Sequence, residues 1–327
     1  MSQRTNPFDP VYRLANSGNL AEKLRQLPEF PHFIDLELTN TCDFRCLMCP
    51  TGTHLQRRGK GFMRDEIFYR LLEGVRERRT PLRFIRWGEP TLHPRLIHYL
   101  EATHAAGILT HMNTNGNNLD DALIDALLAI PLDSIKFSFQ GVDVQSYREM
   151  RNTDFFATLI SRIKKLHTQR GDRPAPYIQI STTITYETRE QVAAFRRMVA
   201  PYADLVSVGR TVLGHLDASQ VKCSATDRQT LQRLQTQESV VKKHKQCPEV
   251  FDKLSVDWDG TVTACCADYD HFMTIGNLAT DSLEAIWRSE KMQHYRTLLA
   301  DMHHSELPLC RTCYDFMGLD TPGLQET

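Results

Sequence analysis

No stretch of this chain is apolar for long enough to cross a bilayer, which takes about 20 consecutive residues. The opening segment, Met1 to Arg13, is polar and carries two prolines. It lacks the apolar core and small-residue cleavage site of a secretion signal. Neither sign of charge is in excess: 39 Lys and Arg stand against 40 Asp and Glu, for a net charge of −1. The global basic surface that an obligatory nucleic-acid partner demands is therefore missing. Internal repeats and low-complexity tracts are absent too. The one local basic run, Arg57, Arg58 and Lys60, reads as a solvated loop or as a contact for substrate or reductase.

These absences leave a cytoplasmic globular chain with no membrane partner. Its 327 residues, 41% hydrophobic and 24% charged, suffice for one large or two ordinary domains. Nine cysteines in a reducing compartment are poor disulfide candidates and better metal ligands. They are grouped: Cys42, Cys46 and Cys49 near the start, then Cys247, Cys265, Cys266, Cys310 and Cys313 in the last third, with Cys223 apart.

Between the groups, strand and helix patterns alternate. Phe33–Leu38, Leu82–Trp87, Leu109–Asn113, Ser134–Phe139, Tyr177–Thr183 and Leu205–Val208 read as strands. Helical spacing falls between them, as in Asp65–Arg78, where Ile67, Leu71, Leu72 and Val75 share one face. Strands alternating with helices imply βαβ units and a parallel sheet. The organisation predicted is an N-terminal extension (1–30), a β/α domain (31–215), a polar helical bridge (216–245) and a C-terminal domain (246–327). The last contains a hairpin turning at Asp259-Gly260 and one helix over Ser282–Ala300.

Cys42-Asp-Phe-Arg-Cys46-Leu-Met-Cys49 follows the first strand. Three soft thiolates at this spacing can cap one face of an iron–sulfur cube and leave one iron open. A zinc site completed by a residue such as His54 is the competing reading. Cys247, Cys265, Cys310 and Cys313 offer four further thiolates, enough for a second [4Fe–4S] cluster or for structural zinc.

The first motif resembles the signature of the radical S-adenosylmethionine (SAM) superfamily. The resemblance continues in order along the strand ends. Trp87-Gly88-Glu89-Pro90 is similar to the family's Gly-Gly-Glu-Pro segment, which binds the methionyl amino group. Asn113-Thr-Asn115-Gly116 matches its Thr-Asn-Gly. Ser138-Phe-Gln140-Gly141 resembles the Ser-x-Asp-Gly segment at the ribose and carboxylate, with an amide for the acid. Thr182 and Thr183 fall at the fifth-strand contacts, and Met48 at the adenine-side position of the cysteine motif. The implied fold is α/β, a partial (β/α)₆ barrel with a small C-terminal auxiliary-cluster domain similar to SPASM or its one-cluster relative, twitch. The implied chemistry is reductive cleavage of SAM to methionine and a 5′-deoxyadenosyl radical, which takes hydrogen from substrate. The implied electron donor is a flavodoxin or ferredoxin.

Three reactions follow from the resemblance: dehydrogenation at a carbinol carbon of a sugar, aminocyclitol or similar polyol; epimerisation with Cys266 as hydrogen donor; and maturation of a ribosomal peptide or protein. Cys223 is a second candidate donor. His54, Glu89 and Arg151 are candidate bases, Arg151 alternatively a structural ion-pair residue.

Overall fold

The structure, a computed structural model, describes residues 4–15, 19–211, 213, 224–236, 240–242, 247–313 and 317–319. Six strands run in sequence order as a parallel sheet: β1 Phe33–Leu36, β2 Leu82–Phe84, β3 Thr110–Thr114, β4 Ser134–Ser138, β5 Tyr177–Ile184 and β6 Leu205–Arg210. A short strand, β7 Val240–Lys242, pairs antiparallel with the last, β11 Met317–Leu319.

The C-terminal region is not detached from this sheet. β8 Lys253–Val256 pairs parallel with the free edge of β1, and the antiparallel strands β9 Thr261–Thr263 and β10 Thr274–Asn277 extend it outward. The predicted turn joins β8 to β9, with Gly260 at φ 86°, a conformation open to glycine at little cost. The resulting order, β10-β9-β8-β1-β2-β3-β4-β5-β6, makes one nine-stranded sheet.

Each barrel strand has two characters. Leu82, Phe84, Met112, Ile135, Phe137, Ile178 and Ile180 are buried on the outer face. There they meet helices such as Asp65–Arg76 and Phe156–Arg170, which bury Ile67, Leu71 and Val75, and Leu159 and Ile163. The alternate residues are polar and face inward in matched rows: Asp35 beside Arg83 and Ser255, His111 beside Ser134, and Asn113 beside Lys136 beside Gln179. Parallel strands covered on both faces normally read as continuous apolar runs. Here the inward groups bond one another, Arg83 to Asp35 at 2.6 Å and Gln179 to Ser134 at 3.1 Å.

Two expectations fail. The predicted helix over Ser282–Ala300 is two helices, Leu283–Trp287 and Glu290–Ala300. Ser289 interrupts it by accepting from the Met292 backbone N–H as an N-cap, while buried Arg296 donates back to the Trp287 carbonyl at 2.8 Å. Arg58 is not part of a solvated loop. It is buried and bonds Glu37 (2.6 Å) and Asp257 (3.1 Å), tying the segment after the cysteines to β8. Of the predicted bridge, the described residues form the helix Ala225–Thr236 and β7; Cys223 lies outside the described residues.

Candidate active site

A cavity of about 270 Å³ opens where the strands end. Cys42, Cys46 and Cys49 line one side, from the loop after β1. The wall also includes Trp87, Gly88 and Glu89 after β2, Asn113 and Asn115 on and after β3, and Ser138 and Gln140 on and after β4. Met48 and Arg151 complete the wall. Ligands in such folds sit at the carboxyl ends of the strands.

The backbone after β2 is shaped by close approach. A Cβ on Gly88 would lie 1.9 Å from the Thr39 carbonyl oxygen, so no other residue fits. Buried Glu89 then caps the turn Pro90–Leu92 and accepts from Thr91 N (3.2 Å), Thr114 Oγ1 (2.8 Å) and Asn115 N (2.8 Å). Burial raises its pKa despite these donors. Asn115 is fixed by Asp43, 2.7 Å away in the cysteine loop. The Gln140 carbonyl accepts from Thr183 and, at 2.9 Å, from Thr211, which leaves its NH₂ group for the cavity. Thr182 turns outward instead, donating to the Gly141 carbonyl.

Arg151 donates to Cys46 Sγ (3.4 Å) and to the Ser138 carbonyl. Burial opposes its charge, but the Cys46 sulfur and Tyr147 hold its pKa above the ordinary guanidinium value. A group so held does not accept protons. His54, the other loose candidate, is engaged by Arg45 and is not in the cavity wall.

Burial, reinforced by the neighbouring Cys46, pushes the Cys42 and Cys49 thiols up. Three sulfurs brought together in this way call for a positively charged partner, and an iron cluster with thiolate ligands supplies it. The second set also converges. Cys247 lies within electrostatic reach of Cys310 and Cys313, and Cys265 of Cys247. The Cys310 thiol, buried beside Cys313, is pushed up to about 12. Cys266 lies beside Cys265, with Glu249 within 4.8 Å of both sulfurs; its own contacts are Glu249 Oε2 at 3.2 Å and Lys253 Nζ at 3.3 Å.

Arg86 and Trp87 join the two regions. Arg86 is buried at φ 103°, a strained value for any residue but glycine. It is held there by Asp257 (2.8 Å) and by the carbonyls of Cys265 (3.2 Å) and Asp268 (2.7 Å).

The Radical SAM superfamily model matches residues 36–199 of the chain. The chain belongs to the radical SAM superfamily. The SPASM iron-sulfur cluster-binding domain matches residues 247–314, so the family's two cofactor sets, a [4Fe–4S] cluster with SAM and auxiliary iron–sulfur, meet cysteine sets that fit them. Among curated proteins, the chain is 26% identical over 170 residues to the tungsten-containing aldehyde ferredoxin oxidoreductase cofactor-modifying protein of Pyrococcus furiosus, covering 50% of this chain and 47% of that protein. It is 30% identical over 128 residues to the PqqA peptide cyclase of Ruegeria pomeroyi, covering 39% and 33%. The chain thus spans half or less of the length of these radical SAM relatives. Among solved structures, BtrN in complex with AdoMet and 2-DOIA gives a TM-score of 0.56 at 14% identity, covering 90% of this chain and 95% of that one. Streptococcus suis SuiB bound to S-adenosylmethionine gives 0.65 at 15%, covering 85% and 71%. These likenesses are of fold. The described helices include none long and apolar enough to cross a membrane.

The motif residues were legible in the sequence; Arg86, Lys136, Glu249 and Lys253 were not singled out. For Lys136 and Lys253 the signal was a polar residue alternating with apolar ones in a strand.

Proposed function

We infer that the chain is a radical SAM oxidoreductase acting on a polar small molecule, a sugar, aminocyclitol or similar polyol, with dehydrogenation at a carbon bearing oxygen or nitrogen. The observation that carries this reading is the inner face below the cavity. Asn113, Lys136, Ser138 and Gln179, inward-facing and only half-buried, form a polar surface above a buried layer of Asp35, His111 and Ser134, suited to a ligand that is itself rich in hydrogen-bonding groups.

Cys42, Cys46 and Cys49 would hold the first cluster, and Cys247, Cys265, Cys310 and Cys313 the auxiliary one. When bound, the first cluster with SAM supplies hydrogen-atom abstraction, and the auxiliary cluster supplies a one-electron acceptor. The remaining residues bind and orient. Gly88 lets the backbone approach, and Glu89 presents a carboxylate to the cofactor's ammonium group, with Pro90 setting the turn. Asn115, Ser138 and the Gln140 amide, which Thr183 aligns, meet its polar parts, while Met48 packs beside its base. Arg151 offsets charge on Cys46 and fixes the end of β4. A flavodoxin or ferredoxin would deliver electrons in the cytoplasm.

One observation favours epimerisation as a second reading. Cys266 is bonded to Lys253, which bonds inward-facing Asp35 at 3.2 Å. The thiol therefore stands at the rim of the substrate face, where it could return a hydrogen atom. The relatives whose names carry a peptide make peptide maturation a third outcome to test.

The test is anaerobic turnover of reconstituted protein with reductant, SAM, candidate polyols and aminocyclitols, and candidate peptides. A ketone or imine formed together with 5′-deoxyadenosine supports dehydrogenation. An isobaric product carrying solvent deuterium, lost in Cys266→Ala, supports epimerisation. Cofactor cleavage that survives Ala at Cys42, Cys46 and Cys49 together would overturn both.

A further inference from the structure

The inner face carries more cations than its carboxylates compensate. Arg83 and Lys253 share Asp35, at 2.6 and 3.2 Å, and Lys253 also meets Glu249 at 2.7 Å. Lys136 projects from β4 into the same surroundings, where burial and then Arg83 and Lys253 lower its pKa to about 8 while Asp35 and the Cys266 sulfur act to raise it. It has no ion pair or hydrogen bond among the described residues. Three cations thus face two carboxylates, and the surplus sits at Lys136.

The groups around Lys136 are ordered as donors. Asn113 is its cross-strand neighbour on β3, and Ser138 lies two residues on; both line the cavity. Burial, with Lys136 and Arg83 adding, lowers the pKa of His111 to about 3, so its ring is neutral. Its Nε2–H can then donate to Asn113 Oδ1, 2.7 Å away, while Nδ1 accepts from Ser134 Oγ at 3.0 Å. Gln179 Nε2 donates to the same Ser134 oxygen at 3.1 Å, which leaves the hydroxyl hydrogen for His111. This chain occupies the Asn113 carbonyl and leaves its NH₂ group unbonded among the described residues. Lys136 and Asn113 are paired across adjacent strands and only half-buried, with Asn113 in the cavity wall; an ammonium and an amide NH₂ so placed match the two oxygens of a carboxylate.

We propose that Lys136 and Asn113 form a carboxylate-binding subsite, so that the substrate of this enzyme carries a carboxylate held beneath the cofactor cavity. This rests on the reading that the inner face receives the substrate. Lys136 would set specificity and would not contact SAM. An acidic polyol would then be preferred to its neutral counterpart.

The test uses the reconstituted holoenzyme with SAM and an isosteric probe pair, acetate and acetamide, titrated calorimetrically at constant ionic strength against chloride. Acetate is expected to bind and acetamide not. Lys136→Met should weaken acetate by about tenfold, the size of one lost charge-assisted hydrogen bond, and Lys136→Arg should restore most of it. Far-UV circular dichroism and the iron and sulfide content should be the same in all three proteins, which shows that the variants are folded and loaded. Equal heats for acetate and acetamide, or acetate binding that survives Lys136→Met, overturns the subsite. Because the probe needs no turnover, loss of cofactor cleavage in the unaltered enzyme would count against the functional reading alone.

Discussion

The indole Nε1 of Trp87 donates to the carbonyl of Asp268, 3.1 Å away. Trp87 lines the cofactor cavity; Asp268 closes the turn that begins at Cys265, its backbone N–H bonding the Cys265 carbonyl at 3.2 Å. The Asp268 side chain in turn accepts from the backbone of Phe272 (3.0 Å) and Met273 (2.8 Å). One side chain therefore spans the strand-end cavity and the loop of Cys265.

Trp87→Phe keeps an aromatic ring edge-on to Tyr269 and removes only the donor. The buried Asp268 carbonyl keeps Arg86 as a partner, so the cost should be modest, about 1 kcal/mol. The expected result is faster loss of auxiliary iron to a chelator and weaker SAM binding. Iron release followed by absorbance, with SAM affinity measured alongside, checks this. Unchanged behaviour in both would mean that the contact couples nothing.

The strands of this fold were readable because each alternates an apolar outer residue with an inner one, as in Ile135-Lys136-Phe137. The segments that line the cavity were readable because Cys42-x₃-Cys46-x₂-Cys49 and the strand-end motifs are local in sequence. The attachment of β8 to β1 was not. It joins Phe33 to Lys253 across a long span of chain, and no local pattern encodes a non-local pairing. Arg58 looked solvated for a related reason: its partners Glu37 and Asp257 come from two distant strands. The break before Glu290 was missed because Ser289 acts as a cap only where tertiary packing ends the preceding helix.

Gly88→Ala should be severe. The added methyl would fall 1.9 Å from the Thr39 oxygen and 2.9 Å from the Thr41 oxygen, and backbone atoms cannot move aside as a side chain can. Overpacking of this kind costs about 1–3 kcal/mol or more. It would also displace Glu89, whose N–H bonds the Thr41 carbonyl at 2.9 Å. Thermal unfolding should show the lost stability, and SAM binding should fall further than stability alone explains. Wild-type affinity in the variant would contradict the account of this segment.

His111 supplies a pH dependence. Its pKa is lowered from 6.5 to about 3, by burial first and then by Lys136 and Arg83. Between those values the unfolded chain binds a proton at this site and the folded chain does not. Stability must therefore fall as pH drops from about 6.5 toward 3, with a slope from this one group of at most about 1.4 kcal/mol per pH unit. His111→Gln removes the titration, so denaturant unfolding at pH 7 and pH 5 should differ less in the variant than in the parent. Equal differences would place the charge-sensitive group elsewhere.

Cys265 and Cys266 are adjacent in sequence and lie with Glu249 within 4.8 Å of one another, and iron content should separate their roles. The Cys265 carbonyl is pinned by Arg86 at 3.2 Å and its sulfur lies within electrostatic reach of Cys247. Cys266 instead sits between the Lys253 ammonium and the Glu249 carboxylate. Cys265→Ala removes one of the four thiolates expected to hold the auxiliary cluster and should cost about half of the iron, leaving the cluster at Cys42, Cys46 and Cys49. Cys266→Ala should leave iron and sulfide unchanged. It should also leave Lys253 paired, since Asp35 and Glu249 both remain within 3.2 Å of its ammonium. Anaerobic iron and sulfide analysis of the two variants decides the assignment: the reverse pattern would make Cys266 the ligand and remove it as a hydrogen donor.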